Sequence, residues 1–139
     1  MKAGQGLLLS LDFADGGLCK AQRTFLIIEV TDKKVRLLNV SSIEGKERKL
    51  AFSSNEKINK YRPPFMKKSF CKMDAVYIIP NNPIIDSYIL AEGRSMHPEE
   101  LSRILLKYQY YRENNEINIA DINLIEFCNK NAKYLSKSK

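Results

Sequence analysis

Short apolar runs separated by polar turns fill the first ninety positions, and a helical period takes over only afterwards. Residues 1–5 read as a short flexible start, followed by Leu7-Leu8-Leu9-Ser10-Leu11-Asp12-Phe13 as a buried strand. Asp15-Gly16-Gly17 is turn chemistry, because glycine takes positive φ without a steric penalty. Arg23 to Thr31 is β-branched and aromatic with no helix breaker, which makes it the clearest strand. After Asp32-Lys33-Lys34 the segment Val35 to Val40 runs back to complete a hairpin. Lys49 to Ser53 predicts a fourth strand with Leu50 and Phe52 inward, Ala75 to Ile79 a fifth, and Ile84 to Leu90 a sixth.

Between Ser54 and Lys72 regular structure is interrupted by Pro63-Pro64, and a long surface segment with one helical turn before Tyr61 is expected. The tail is helical. Pro98 suits a first turn, Glu99 and Glu100 favour the positive end of the helix dipole, and Leu101, Ile104, Leu105 and Tyr108 repeat at i, i+3, i+4, i+7. Asn114-Asn115 ends this helix, and a second one after Asn118 is expected to bury Ile119, Ile122, Ile125 and Cys128, with Lys133 to Lys139 frayed. The pattern predicts an α+β fold. It consists of a small antiparallel SH3-like β-barrel of five or six strands, about residues 6–92, with two C-terminal helices, about 97–136, covering one face or the barrel end.

A length of 139 residues fits a single domain, and the ordinary balance of 44% hydrophobic to 28% charged residues argues against a disordered chain. No apolar run reaches the ~18–20 residues that span a bilayer, and the opening Leu7-Leu8-Leu9 is too short and too close to Asp12 for a signal peptide. A cytoplasmic protein with no membrane partner is the expectation. Cys19, Cys71 and Cys128 are scattered, and with one histidine they do not make a structural zinc site, so neither metal nor cofactor is expected.

The net charge of +7 favours a polyanionic partner. Lys57, Lys60, Arg62, Lys67, Lys68 and Lys72 are interleaved with Tyr61, Phe65 and Phe70, the composition of a single-strand RNA groove with stacking platforms. The same aromatics also suit a packed core, with the lysines merely solvated. His97 stands alone before a helix, so a histidine triad or pair is not expected; chemistry near neutral pH would rest on Arg, Lys, Ser, Thr, Tyr and carboxylates. Phosphodiester chemistry suits that set, because much of the work is stabilising an anionic transition state. In a hairpin turning at Lys33, Arg23 opens one strand and Ser41 closes the next, so the two meet at one sheet end. A guanidinium there can grip a phosphate that a hydroxyl also contacts.

Gly6 to Phe13, Gln22-Arg23-Thr24-Phe25-Leu26-Ile27-Ile28 and Asn39-Val40-Ser41-Ser42 together resemble the opening of the MazF/PemK toxin superfamily. Lys72-Met73-Asp74-Ala75-Val76 resembles that family's basic-x-Asp step into a late strand, and Ser95 to Leu105 its closing helix. The stretch from Arg23 to Lys46 and the two-helix tail are similar to the ToxN branch, whose antitoxin is an RNA. Thr24 stands where the family has proline, Ser41 where it has threonine, and Lys72 where one branch has arginine. The resemblance implies a homodimeric, metal-independent endoribonuclease that cuts single-stranded RNA to a 2′,3′-cyclic phosphate and is restrained by a protein or RNA antitoxin. It implies catalytic roles for Arg23, Ser41 and Asp74. RNA contacts are expected from Lys20, Gln22, Ser42, Lys46, Arg62, Lys67, Lys68 and Lys72. The alternatives are a non-catalytic barrel that binds RNA or protein, and a toxin of this fold that poisons a protein target.

Overall fold

Phe25-Leu26-Ile27-Ile28 is buried throughout, as expected of a run with no polar face, and it lies inside strand β2 (Arg23–Val30). The computed structural model describes residues 1–135. The remaining strands are β1 (Gly6–Leu9), β3 (Lys34–Ser42), β4 (Asn55–Lys57), β5 (Ser69–Pro80) and β6 (Asn118–Asp121). Two helices follow the 3-10 turns of the middle segment: α1 (Pro98–Asn114) and α2 (Leu124–Leu135). The fold is α+β, a six-stranded and mostly antiparallel sheet with two C-terminal helices.

The strands run in the order β1-β2-β3-β5-β4, and β6 pairs with β5 in parallel. β5 is twelve residues long, so its free edge takes β4 against residues 70–72 and β6 against residues 75–78. A parallel neighbour needs a long crossover, and α1 supplies it. The helix starts on Pro98 with His97 Nδ1 accepting the Glu99 N–H at 3.3 Å, and α2 starts with Asn123 Oδ1 accepting from Glu126 N–H at 2.9 Å.

Alternation along the strands divides the core in two. One face carries Leu7, Leu9, Phe25, Ile27, Leu37, Tyr77 and Ile79 and packs on Ile85, Tyr88, Ile122 and Phe127 of α2. The other carries Leu26, Ile28, Leu38, Val40, Cys71 and Val76 and packs on Ile58, Phe65 and on Ile104 and Tyr108 of α1. The helices therefore cover opposite faces of the sheet rather than one face, a consequence of the β5-α1-β6 crossover.

The sheet is not closed into a barrel. The outer edge of β1 is occupied by residues 89–95, with bridges Leu7↔Ile89 and Gln5↔Ser95, so the first and last strands never meet. Other expectations also change. Residues 1–5 are tied down, since Gly4 N–H donates to the Ile27 carbonyl and Gln5 accepts from Ile27 N–H. The fourth strand is displaced to Asn55–Lys57, and Glu47–Ala51 is a 3-10 turn that leaves Phe52 exposed. No helical turn precedes Tyr61. Pro83–Tyr88 is a 3-10 helix set by the Asn82 cap, not a strand. Asn118–Asp121 is a strand, and the helix begins five residues later than the apolar spacing suggests; Ile119 and Ile125 are exposed, while Ile122 is buried. Residues 133–135 are helical, and the rest of the expected frayed end lies outside the described residues.

Candidate functional site

Antiparallel pairing decides what gathers at the open end of the β2-β3 hairpin. Thr24 faces Val40 and Phe25 faces Asn39. One step further the same register sets Arg23 against Ser41, and residues directly opposed in an antiparallel pair share a face. On the other side of β3, Ser41 pairs with Phe70 and Asn39 with Lys72. Beyond Lys72 the register shifts, so that Tyr77 pairs with Leu37 while residues 73–76 bow out of the β3 ladder. Such bulges re-aim side chains next to sites. Here Asp74 and Ala75 join Phe13, Asn39, Lys72, Tyr77 and Asn118 around a hollow of about 100 Å³. That is well below the ~300–1,000 Å³ of small-molecule pockets and suits a group the size of phosphate.

Arg23 is half-buried beside this hollow and firmly held. Its Nη2 donates to the Leu11 carbonyl at 2.9 Å and the Asp12 carbonyl at 3.4 Å, and both Nη atoms lie 3.4–3.5 Å from the Tyr77 hydroxyl. The Phe13 ring covers the guanidinium at 4.3 Å, a cation–π contact, and Nε is buried without a hydrogen-bond partner. The Tyr77 oxygen also accepts the Ala14 N–H at 3.2 Å, which leaves its own proton to be donated into the hollow that it lines. Asn39 is buried and donates to the Thr24 carbonyl at 2.9 Å.

The charge is mixed: Asp15 and Asp74 line the hollow with Lys72, and Arg23, Lys46 and Lys49 stand nearby. Burial holds the Lys72 ammonium below its ordinary range, and Lys49, Arg23 and Lys46 push the same way, against Asp74. These four cations therefore feel one another across a small volume. Among the described residues, none of Lys46, Lys49 and Lys72 forms an ion pair within 4.0 Å. Lys46 Nζ donates to Ser41 Oγ at 3.1 Å, so the hydroxyl and ammonium predicted separately form one unit.

The structure thus brings together Arg23, Ser41, Lys46, Lys72 and Asp74. Lys67 and Lys68 are exposed and flank the same sheet end, where the Ile43 N–H donates to the Lys68 carbonyl. Four predicted residues sit elsewhere. Ser42 points to the opposite face from Ser41 and accepts the Glu44 N–H in a turn. Gln22 lines a separate hollow with Leu8, Tyr88 and Tyr134. Arg62 is docked on the Ser95 and Met96 carbonyls at 3.1 and 3.4 Å. Lys20 is exposed on the loop before β2, its carbonyl bonded by the Tyr134 hydroxyl. The aromatics offered as stacking platforms are packed inward: Phe65 and Phe70 are buried, and the Tyr61 hydroxyl accepts the Ser69 N–H.

Sequence reasoning missed Phe13, Asn39, Lys49 and Tyr77. A polar residue inside Leu37-Leu38-Asn39-Val40, and a hydroxyl inside Val76-Tyr77-Ile78-Ile79, were signals available in the chain. Among the described residues, no three His, Cys, Asp or Glu side chains gather to hold a metal, and no helix is long and apolar enough to cross a membrane. No protein-family model matches this chain, and no curated protein matches it significantly.

Proposed function

We propose that this chain is an endoribonuclease of the MazF/PemK kind, cutting single-stranded RNA by transesterification. The observation that supports it best is the phosphate-sized hollow beside Arg23, lined by Lys72, Asp74 and Tyr77 with Lys46 and Lys49 close by. In this reading the scissile phosphate enters the hollow, and the substrate's own 2′-oxygen attacks phosphorus. Asp74 takes the 2′-hydroxyl proton as the O2′–P bond forms. Lys72, whose proton is already loosened by burial and by like charges, protonates the departing 5′-oxygen as the P–O5′ bond breaks. The products are a 2′,3′-cyclic phosphate and a free 5′-hydroxyl. Arg23, Tyr77 and Ser41 supply donors to the non-bridging oxygens, where negative charge develops in the transition state. A homodimer and an antitoxin, protein or RNA, are the partners this reading carries, with the cytoplasm as the site of action.

The test is incubation of the pure protein with long single-stranded RNA in chelator, with mapping of the new ends. Cleavage with 2′,3′-cyclic phosphate termini is expected. Asp74→Asn and Lys72→Ala lower the rate by about 10²–10⁴-fold, the usual contribution of a positioned acid or base. Arg23→Ala abolishes cleavage, with folding checked because Arg23 also pins the loop before β2. Absence of cleavage, or Asp74 and Lys72 variants cutting at the wild-type rate, rules the nuclease out.

A further inference from the structure

Phe13 has two sides. One covers the Arg23 guanidinium at the phosphate-sized hollow. Phe13 and Ala14 also line a second hollow of about 390 Å³, bounded by β6 and α2. Its apolar lining includes the buried Leu11 and Ile122 together with Ala120. Phe13 itself is 38% exposed, although it is a large apolar side chain on a short turn. The turn is well defined: Phe13 N–H donates to the Gly17 carbonyl at 2.7 Å, and Gly16 sits at φ +100°, a conformation that favours glycine. An aromatic ring held rigidly at a pocket wall next to a phosphate site is the arrangement on which unpaired bases stack.

The polar lining of this second hollow is three carboxylates with the Asn129 amide and the Lys130 ammonium. Asp12, Asp121 and Glu126 line it, and each has one oxygen engaged: Asp12 Oδ1 by Lys130, Asp121 Oδ1 by Lys34, and Glu126 Oε1 by Asn123. Among the described residues the second oxygen of each has no partner. Lys130 is spent on Asp12 and on the Cys19 carbonyl, at 2.6 and 2.8 Å. An ionised carboxylate only accepts hydrogen bonds, and each oxygen has two lone pairs, so the engaged oxygen can still accept beside the free one. The matching ligand edge presents two adjacent donors and no phosphate. Among the four bases, guanine alone has neighbouring N–H and NH₂ donors on its pairing edge. Adenine and cytosine offer one amino group beside an acceptor, and uracil one N–H between two acceptors.

We infer that the hollow between the Phe13 turn, β6 and α2 is a guanine subsite, with Phe13 stacking the base and a carboxylate of Asp121 or Glu126 reading its pairing edge. The inference deepens the nuclease reading, because it names the base admitted next to the phosphate held at Arg23.

Binding tests it without any cleavage step. The full chain is titrated with GMP, AMP, CMP and UMP while backbone amide shifts are followed by NMR. GMP binds about tenfold more tightly than the others and moves the amides of Phe13, Ala120 and Asn129. Phe13→Ala weakens GMP about tenfold, within the range of single-base stacking. The double variant Asp121→Asn, Glu126→Gln brings GMP to the level of AMP and leaves AMP unchanged. Equal affinity for all four nucleotides overturns the inference. So does a guanine preference that survives the double variant, or shifts confined to Arg23, Lys72 and their neighbours. A protein that binds GMP in this way but cuts no RNA retains the subsite and loses only the nuclease reading.

Discussion

Asn131 pairs with the backbone of Ser10 as a neighbouring strand would. Its Oδ1 accepts the Ser10 N–H at 2.7 Å, and its Nδ2 donates to the Ser10 carbonyl at 2.9 Å. Both residues are fully buried, and the Tyr88 hydroxyl bonds the Asn131 carbonyl at 2.8 Å. One helical side chain thus continues the backbone ladder past the end of β1. The next two residues, Leu11 and Asp12, offer the carbonyls that hold Arg23. The adjoining Lys130 secures the same loop through Asp12 and the Cys19 carbonyl, and holds the Asp12 carboxyl below its ordinary range.

Replacing Asn131 with alanine strands a buried N–H and a buried carbonyl at Ser10. An unsatisfied buried group costs roughly 1–3 kcal/mol, so Asn131→Ala is expected to lose about 2–4 kcal/mol in urea denaturation, with an unchanged m-value. A loss below about 0.5 kcal/mol means that water replaces the side chain and the ladder argument fails.

The second clamp is Glu100, almost fully buried on α1. Its carboxylate accepts from Arg103 Nε at 2.8 Å and from the backbone N–H groups of Asn59 and Lys60, which holds the segment after β4 on the helix. The Arg103 bond is the chief reason its pKa falls from 4.5 to about 2. A depressed carboxyl contributes stability that is present above pH 4.5 and is lost as pH falls toward 2. The expected loss is on the order of 3 kcal/mol across that window. In Glu100→Gln the acid slope of stability between those limits is expected to flatten. An unchanged slope places the acid sensitivity elsewhere.

How much of this was legible in the chain depended on whether local pattern or distant pairing decided the outcome. β2, β3 and the first helix follow from runs such as Phe25-Leu26-Ile27-Ile28 and from Pro98-Glu99-Glu100, where neighbours in sequence carry the signal. The convergence of Arg23 with Ser41 was readable too, because hairpin register is arithmetic. β6 was not readable. Asn118-Ile119-Ala120-Asp121 has weak strand propensity and becomes a strand only because β5 runs on past β4 and leaves an edge at residues 75–78 to pair with. Tyr77 joined the site through the β5 bulge, which shifts register by an amount no single strand's pattern encodes, and Lys49 through the 3-10 turn whose carbonyl accepts from Asn55, the β4 partner of Lys72. Arg62 misled for the opposite reason: its charge suggested RNA, yet two backbone carbonyls across the β1 edge occupy it.

The cysteines divide by exposure. Cys71 is fully buried, which pushes its thiol up to about 12, while Cys128 on α2 is partly exposed. Reactivity follows the thiolate and its access, so an aromatic disulfide reagent at pH 8 is expected to label Cys128 long before Cys71 in the native protein. Labelling of Cys71 at the rate of Cys128 signals that the α1 face opens readily.

Lys72 gives the sharpest pH signature. Burial and the neighbouring Lys49, Arg23 and Lys46 charges set its pKa below the ordinary lysine value of 10.5. As general acid it must be protonated, so RNA cleavage is expected to decline with rising pH along a limb lying below the normal lysine range. Arginine keeps its proton throughout the accessible range. Lys72→Arg should therefore slow cleavage at neutral pH and remove that alkaline limb, whereas Lys72→Ala slows cleavage at every pH. Lys46 is exposed and Lys49 half-exposed, so added salt screens their charges and the limb should move up between low and physiological ionic strength. A Lys72→Arg enzyme that keeps the wild-type alkaline limb assigns the proton to another group, and Tyr77, with its hydroxyl at the same hollow, becomes the next candidate.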